Sequence, residues 1–176
     1  MPSVTGRWWR VRVSAVRDVG SSGGTDGIFQ ASEVVLRLSG VSLSWDPSAT
    51  ASNVSGGDGG TWNTGGSEGP DKLRDNFLTG KALYFFGSSG PAGIAETVID
   101  AISSVTADAM AWGMANDSDS RDPAAWTLDY SDTSSSGPWT NVVNVTGQSL
   151  TTDRDVESAP YAFSGGGDTL MGQACL

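Results

Sequence analysis

The sequence predicts an all-β protein, and three observations support that fold class. Glycine accounts for 24 of the 176 residues, and Ser, Gly, Pro and Asp separate many short apolar segments. Several of these segments alternate apolar and polar side chains, which is the period of a half-buried strand. Helix caps and long helical patterns are scarce beside these features. The spacing of the segments is typical of a β-sandwich or jelly roll.

The first strand is predicted in RWWRVRVSAVR, residues 7–17. One face of the alternation is apolar and consists of Trp9, Val11, Val13 and Ala15. The opposite face consists of Trp8, Arg10, Arg12 and Ser14, and we expect it to be solvated or to contact an acidic neighbour. The next apolar stretch, EVVLRLSGVSLSW, predicts one or two further strands with Val34, Leu36 and Leu38 inward and a bulge or turn at Gly40.

Later segments are less uniform. Turn formers fill residues 46–70, which predicts a long loop. Residues 92–115 fit a helical face through Ile94 and Val98, but Met110 and Met114 alternate as in a strand, so periodicity leaves the choice open. Short strands are predicted in 126–132, 139–145 and 161–163. We expect the tryptophans in these strand patterns to be core residues: Trp112, Trp126 and Trp139.

Composition excludes several classes of function. The chain has no His, which removes the commonest general base and metal ligand, and its single Cys excludes an intramolecular disulfide. We therefore expect no enzymatic activity. A formal net charge of -10 disfavours nucleic acid and anionic membrane surfaces, so neutral or cationic partners fit better.

The N-terminal sequence MPSVTGRWWRVRV lacks an apolar signal-peptide segment, and no window of the chain reaches eighteen apolar residues. These features predict a protein that is made in the cytosol without a signal peptide and is not inserted in a membrane. A protein of this size is expected to leave the cell only by lysis or as part of an assembly.

Two stretches carry a family resemblance. RDPAAWTLDYSD (121–132), followed by GPWTNV, resembles the strand, turn and second Trp of the discoidin family, also called coagulation-factor type C or galactose-binding-like domains. GPDKLRDNFLTGKAL (69–83) is similar to the segment of that family that precedes them. The resemblance implies a discoidin-like jelly-roll sandwich over residues 46–163 and favours strands in much of 94–115.

The same resemblance predicts that the chain has additional segments at both ends of the discoidin-like domain. Residues 1–45 are expected to be N-terminal strands that pack on or extend the sandwich, and residues 164–176 a short C-terminal tail. The chain departs from the family pattern at three places. The usual Asp-Gly is Asp75-Asn76, Leu83 stands where the family has Trp, and the usual Asn-Asp-Gly turn is missing.

The resemblance further implies a structural calcium ion in the DKLRDNFLTG turn. The implied ligands are carbonyls near Lys72 and Phe77, side chains of Asp75 and Thr79, and a late acid such as Glu157. Calcium prefers six to eight oxygen ligands, which such a turn can supply. The alternative is an Asx-turn in which Asp75 caps its own backbone.

Trp62 stands alone in the glycine-rich stretch 56–70, and two interpretations are open. In one, an exposed ring stacks on a neutral sugar while Asn63, Asn116 and Arg121 bind its hydroxyls, as the resemblance implies. In the other, Trp62 folds back to close its own loop.

Two functions follow as hypotheses. The first is a non-catalytic module that recognises a neutral glycan or similar surface ligand, carried on a large assembly such as a tail or capsid appendage of a phage virion. The alternative is a structural decoration or connector subunit of a virion that binds no ligand. Both imply contacts with other virion proteins or with further copies of the chain. An exposed Trp62 would favour the first hypothesis, and a buried Trp8 face against another chain the second.

Overall fold

The computed structural model describes residues 2–17, 27–54, 60–64, 67–86 and 93–164, with the side chains of 53 and 54 left aside. The predicted tail, apart from residue 164, lies outside these ranges. The fold is all-β, as predicted. Twelve strands are described: β1 (Val4–Val16), β2 (Ile28–Ala31), β3 (Glu33–Leu38), β4 (Val41–Ser42), β5 (Thr50–Val54), β6 (Thr61–Trp62), β7 (Ala82–Phe85), β8 (Ala95–Ala107), β9 (Ala109–Gly113), β10 (Pro123–Ser131), β11 (Thr140–Val145) and β12 (Tyr161–Ala162). Two short 3₁₀ helices cover Pro70–Arg74 and Asp119–Arg121.

The strands form three antiparallel sheets. The largest has the order β11-β10-β1-β8-β5, the second β12-β9-β3-β4 and the smallest β2-β7-β6. Side chains from all three sheets meet in one apolar core. None of the helices in the described ranges has the length and apolar character needed to cross a membrane.

Strand β1 shows how the sequence pattern becomes a buried sheet. Trp9, Val11 and Val13 are buried, as the alternation predicted, while Arg10 and Arg12 lie on the outer face. β1 pairs with β8 on one side and β10 on the other. The N-terminal residues 1–45, which we expected to pack on or extend the sandwich, therefore supply the central strand of its largest sheet.

Two ambiguous stretches of sequence resolve as strands. Residues 95–107 and 109–113 form β8 and β9, so the helical alternative is wrong. The long loop predicted over 46–70 is interrupted by β5, which adds an edge strand beside β8, and by β6, which pairs with β7. Pairing with distant strands supplies backbone hydrogen bonds that local turn composition does not reveal.

The core contains a series of edge-to-face aromatic contacts. The ring centroids of Phe29 and Trp112 are 5.8 Å apart, and those of Trp112 and Trp126 are 5.9 Å apart. Both tryptophans are buried, as predicted. The prediction for Trp139 is wrong: its ring is only partly buried and lies under the Arg10 guanidinium, 4.7 Å from the ring centroid. A cation over an aromatic face accounts for this arrangement.

The outer face of the largest sheet is covered by cross-strand ion pairs. Each of three β1-strand arginines contacts an acid on a neighbouring strand: Arg7 with Asp100 at 2.8 Å, Arg10 with Asp129 at 2.9 Å and Arg12 with Glu96 at 2.9 Å. The acidic neighbours expected for this face therefore come from the chain itself. Trp8 lies beside Arg7, whose guanidinium carbon is 4.7 Å from the ring centroid.

Many of the remaining charged side chains are gathered at one end of the sandwich. There β1, β6 and β9 finish, and β3, β7 and β10 begin. We call this region the loop end. It includes the turn after the first 3₁₀ helix, the 114–122 connection and the 148–157 connection. The residues predicted to bind a ligand or a metal lie in these segments or at the end of β6, except Lys72, which lies in the first 3₁₀ helix.

Candidate functional site

The loop end brings together five polar side chains from three separate segments. Asn63 Nδ2 donates to Glu68 Oε2 at 2.7 Å, and Glu68 Oε1 lies 3.6 Å from Lys81 Nζ. Lys81 donates to Asp117 Oδ2, which is also 3.7 Å from Arg121 Nη1. We call these five residues the polar network. Two of its members, Asn63 and Arg121, are predicted ligand residues, and the structure joins them through three residues that were not predicted.

The polar network is accessible and close to electrically neutral. Its two acids and two cations cancel in formal charge, and the Asp117 side chain is 40% exposed. Partial burial acts to raise the pKa of Asp117, but the hydrogen bond from Lys81 and the nearby charges lower it overall. The carboxylate therefore stays ionised at neutral pH and can accept hydrogen bonds.

The backbone beneath the network is held by a buried amide. Gln30 on β2 has no exposed surface, and its Nε2 donates to the carbonyl of Ser118 at 2.5 Å. This bond ties the 114–122 connection to the smallest sheet. Asn116, the third predicted polar ligand residue, is exposed in the same connection and precedes Asp117 directly.

Trp62 does not provide an exposed ring. Its side chain is 4% exposed, contacts Phe29 and Tyr84 edge-to-face, and donates from Nε1 to the Glu96 carbonyl at 3.1 Å. The interpretation of Trp62 as a sugar-stacking residue is therefore wrong for this structure. Burial of a large ring with its N–H satisfied explains why Trp stands in a glycine-rich stretch.

The predicted metal turn has an internal ion pair. Asp75 Oδ2 accepts a hydrogen bond from Lys72 Nζ at 2.7 Å, and its other oxygen accepts from the Phe77 amide at 3.1 Å. The second contact is the Asx-turn that we considered as the alternative to a metal ligand. Thr79 is exposed at the end of the same turn.

Glu157 has other partners in the structure. Its carboxylate contacts Arg37 Nη1 at 2.5 Å and accepts from Ser42 Oγ at 2.9 Å. Both partners belong to the β3-β4 hairpin. The placement of Glu157 in the metal shell is therefore not supported, because its carboxylate is held at this hairpin and not at the 75–79 turn.

A different acid faces the turn. Glu33, the first residue of β3, is 4% exposed, and its Oε2 accepts the Asn76 amide hydrogen at 2.8 Å. Its other oxygen, Oε1, is buried and has no hydrogen-bond partner among the described residues. Burial raises the pKa of Glu33 to about 8; the hydrogen bond from the Asn76 amide acts against this shift, and the charge of Asp75 adds to it.

The donor chemistry around Glu33 fits a hard cation. Two carboxylates, Glu33 and Asp75, flank a turn whose backbone carbonyls can add further oxygens, and calcium takes such ligands. To bind an ion, Asp75 would have to exchange its contacts with Lys72 and Phe77. The orphaned oxygen of Glu33 is the observation that favours an ion here, since a buried carboxylate oxygen is rarely left without a partner. In the described part of the chain, no three His, Cys, Asp or Glu side chains form a metal-binding group, so carbonyls would have to complete the shell.

Sequence reasoning missed Glu33, Glu68 and Lys81. The sequence places Glu33 only at the start of a strand. Its position just before the apolar run VVLRL is a weak indication that its side chain is buried. Glu68 and Lys81 flank the predicted turn on either side. Their pairing with residues 63 and 117 depends on tertiary contacts that carry no local pattern.

Comparison with known proteins yields no match to a family model, to a curated protein or to a solved structure.

Proposed function

We propose that this chain is a non-catalytic binding module that recognises a neutral glycan or similar surface ligand through the polar network. The observation that carries the proposal is the convergence of Asn63, Lys81 and Arg121, which lie on separate segments, in one accessible patch at the loop end. Loops at the end of a β scaffold commonly carry binding residues.

The chemistry of the patch suits hydroxyl groups. An amide, two carboxylates and two cations provide donors and acceptors side by side, and a sugar hydroxyl can both donate and accept. Among the described residues, Arg121 pairs only with Asp117, at 3.7 Å, and its Nε is buried, so its terminal nitrogens are the donors that can serve a ligand. The absence of net charge in the network, on a chain of formal charge -10, favours a neutral ligand over an anionic one.

An aromatic contact is available from a residue other than Trp62. Phe77 is 64% exposed in the turn that leads to Lys81, and an exposed ring can cover the apolar face of a sugar. We assign this role to Phe77 because its backbone neighbour Asn76 is bonded to Glu33, which fixes the turn at the loop end.

The proposal includes a structural calcium ion beside the network. Glu33 would replace the predicted Glu157 as the acidic ligand, with Asp75 and carbonyls of the turn that contains Lys72, Phe77 and Thr79. The ion would neutralise the buried carboxylate and fix the turn that presents Phe77. It would take no part in a reaction.

The fold and setting are part of the same proposal. The three antiparallel sheets are compatible with the discoidin-like jelly roll that the sequence resembles. A module of this kind is proposed to act on a large particle such as a phage virion, beside other virion proteins or copies of itself.

A glycan-array screen in millimolar calcium tests the binding function. Wild type, Arg121→Ala and the matched control Arg74→Ala are compared, since Arg74 pairs with Asp71 within the first 3₁₀ helix and lies outside the network. We expect wild type and Arg74→Ala to bind the same neutral glycans and Arg121→Ala to lose at least about tenfold in affinity, as one or two hydrogen bonds to a charged donor are removed.

Two other results would contradict the proposal. Equal binding by Arg121→Ala and wild type would remove the polar network from the site. Absence of binding by the wild type to any glycan on the array would favour the structural subunit without a ligand.

A further inference from the structure

A buried carboxylate at the loop end has a complete set of partners. The Asp122 side chain has no exposed surface, and its two oxygens accept from Arg154 Nη1 and Nη2 at 2.9 and 2.7 Å. Arg17 Nη2 approaches the second oxygen to 3.3 Å. The bidentate geometry is the strongest form of an Arg–carboxylate contact. We call these three residues the Asp122 cluster.

The two arginines also bind backbone carbonyls of two different connections. Arg154 donates to the carbonyls of Ala115 at 3.3 Å, Asp117 at 3.2 Å and Thr151 at 3.1 Å. Arg17, at the end of β1, donates to the carbonyls of Leu150 at 2.6 Å and Thr151 at 3.3 Å. The cluster therefore joins the central strand, the 114–122 connection and the 148–157 connection.

The 114–122 connection carries the residues proposed to contact a ligand. Asn116, Asp117 and Arg121 lie within it, and the carbonyls bound by Arg154 stand on either side of Asn116. Backbone bonds also anchor the two ends of this segment: Met114 N donates to Val156 O at 2.8 Å, Asp155 N to Met114 O at 3.0 Å and Arg17 N to Asp122 O at 2.9 Å. Arg121 N donates to Ser118 O at 3.3 Å and Asp122 N to Asp119 O at 3.1 Å, both within the short 3₁₀ helix. Between these bonds, residues 115–118 are held by side chains of other segments: Arg154, the Gln30 amide and Lys81, which donates to Asp117.

We propose that Arg154 and Arg17 are positioning residues that hold the 114–122 connection in the conformation that presents Asn116 and Arg121. The inference rests on the proposed function for its consequence on binding, but the positioning itself is independent of any ligand. Arg154 suits the task because a guanidinium offers five donors in a fixed plane, enough for a carboxylate and several carbonyls together. A lysine at position 154 would keep the positive charge but would lack the planar set of donors that binds both carboxylate oxygens.

Hydrogen exchange monitored by mass spectrometry tests the positioning without a ligand. The variants are Arg154→Lys and the matched control Arg7→Lys, because Arg7 makes an equivalent bidentate contact to Asp100 on the outer sheet face and none to the loop end. We expect amides of residues 116–122 to exchange at least about tenfold faster in Arg154→Lys, with β1 and β8 unchanged. Arg7→Lys should leave residues 116–122 at the wild-type rate.

Arg17→Lys provides a milder second variant should Arg154→Lys fail to fold, since Arg17 makes only the longer contact to Asp122. It should accelerate exchange in both connections to a smaller degree. Unchanged exchange at 116–122 in both variants would overturn the inference, as would a uniform acceleration across the whole chain. Binding of the array-selected glycan is then measured in the folded variants, and a tenfold loss with an intact β-core is the expected result. If the wild type binds no glycan, only the proposed function is contradicted. The hydrogen-exchange result still tests whether Arg154 and Arg17 hold the 114–122 connection.

Discussion

Glu33 and Asp122 are both buried carboxylates at the loop end, but they differ in their partners. Asp122 has both oxygens bonded to Arg154 and a second cation, Arg17, within 3.3 Å. Glu33 has one oxygen on the Asn76 amide and the other without a partner. Burial raises the pKa of both groups, and at Asp122 the two guanidiniums act against that shift.

The fold therefore accommodates these two buried acids in different ways. At Asp122 the chain supplies its own counter-ions, so the carboxylate serves the fold. At Glu33 the described residues supply no ion-pair partner, and burial raises the pKa to about 8, so without an external cation the acid is mostly protonated at neutral pH. The comparison assigns the first carboxylate to architecture and is the reason that we propose the second as an ion ligand.

The largest expected effect is at the paired carboxylate. Asp122→Asn leaves Arg154 without its charge partner in a largely buried setting and leaves Arg17 with only the exposed Asp119, so we expect the free energy of unfolding to fall by about 3–5 kcal/mol. Urea unfolding followed by Trp fluorescence measures the change. Asp119→Asn is the control, since its side chain is 50% exposed and contacts Arg17 at 3.4 Å, and it should cost less than about 1 kcal/mol. Equal effects of the two substitutions would remove the distinction between buried and exposed acids.

The next largest loss of stability is expected at Gly113, which packs against Glu33. A Cβ on Gly113 would lie 2.5 Å from Ser32 Oγ, 2.7 Å from Glu33 Cβ and 2.8 Å from Leu78 Cδ2. We expect Gly113→Ala to lower the free energy of unfolding by about 1–3 kcal/mol through overpacking. Gly69→Ala is the control, because its nearest neighbour is the Asn63 carbonyl oxygen at 3.9 Å. A Gly113→Ala protein of wild-type stability would show that the carboxylate is loosely held.

Substitution of Glu33 itself, unlike the two changes above, should not lower the stability of the protein. In EDTA, Glu33→Gln removes a buried acid that has no cationic partner, so we expect stability equal to wild type or higher by about 1 kcal/mol. Thermal unfolding of both proteins measures the difference. A strong loss of stability in EDTA would mean that Glu33 stabilises the fold by itself and needs no ion.

The smallest effect belongs to a third class of carboxylate, on the outer sheet face. Hydrogen bonds from Arg7 lower the pKa of Asp100, so its contribution to stability is present above about pH 4, the unfolded value, and is lost as the pH falls through the lowered pKa. We expect Asp100→Asn to be slightly less stable than wild type at pH 7 and equal to it near pH 2. Urea midpoints across this range measure the convergence, and a difference that persists at low pH would exclude the ion pair as its cause.

The sequence predicted the all-β class and the burial of β1 well, because alternation in residues 7–17 is a local pattern. Burial of Trp112 and Trp126 followed from the same reasoning. Trp139 was predicted to be a core residue and is only partly buried, and of the two interpretations left open for Trp62 the exposed one is wrong. Local composition could not show that the Arg10 guanidinium covers the first ring, or that Phe29, Tyr84 and the Glu96 carbonyl enclose the second.

The candidate site was predictable only in part. Asn63, Asn116 and Arg121 were identified as polar residues of turns, and the structure places all three at the loop end. Their connection through Glu68 and Lys81 arises from tertiary pairing, which no spacing in the sequence indicates. Glu157 was chosen as a late acid, but the acid that faces the turn is Glu33, and only the fold brings residue 33 beside residue 76.

Isothermal titration of calcium into EDTA-stripped protein tests most directly whether Glu33 is a calcium ligand. Wild type, Glu33→Gln and Glu157→Gln are compared at low ionic strength. We predict one site in wild type and in Glu157→Gln, loss of that site in Glu33→Gln, and a calcium-dependent rise in stability of about 2.7 kcal/mol at one hundred times the dissociation constant. Binding that survives Glu33→Gln but disappears in Glu157→Gln, or no binding by the wild type, would contradict the account.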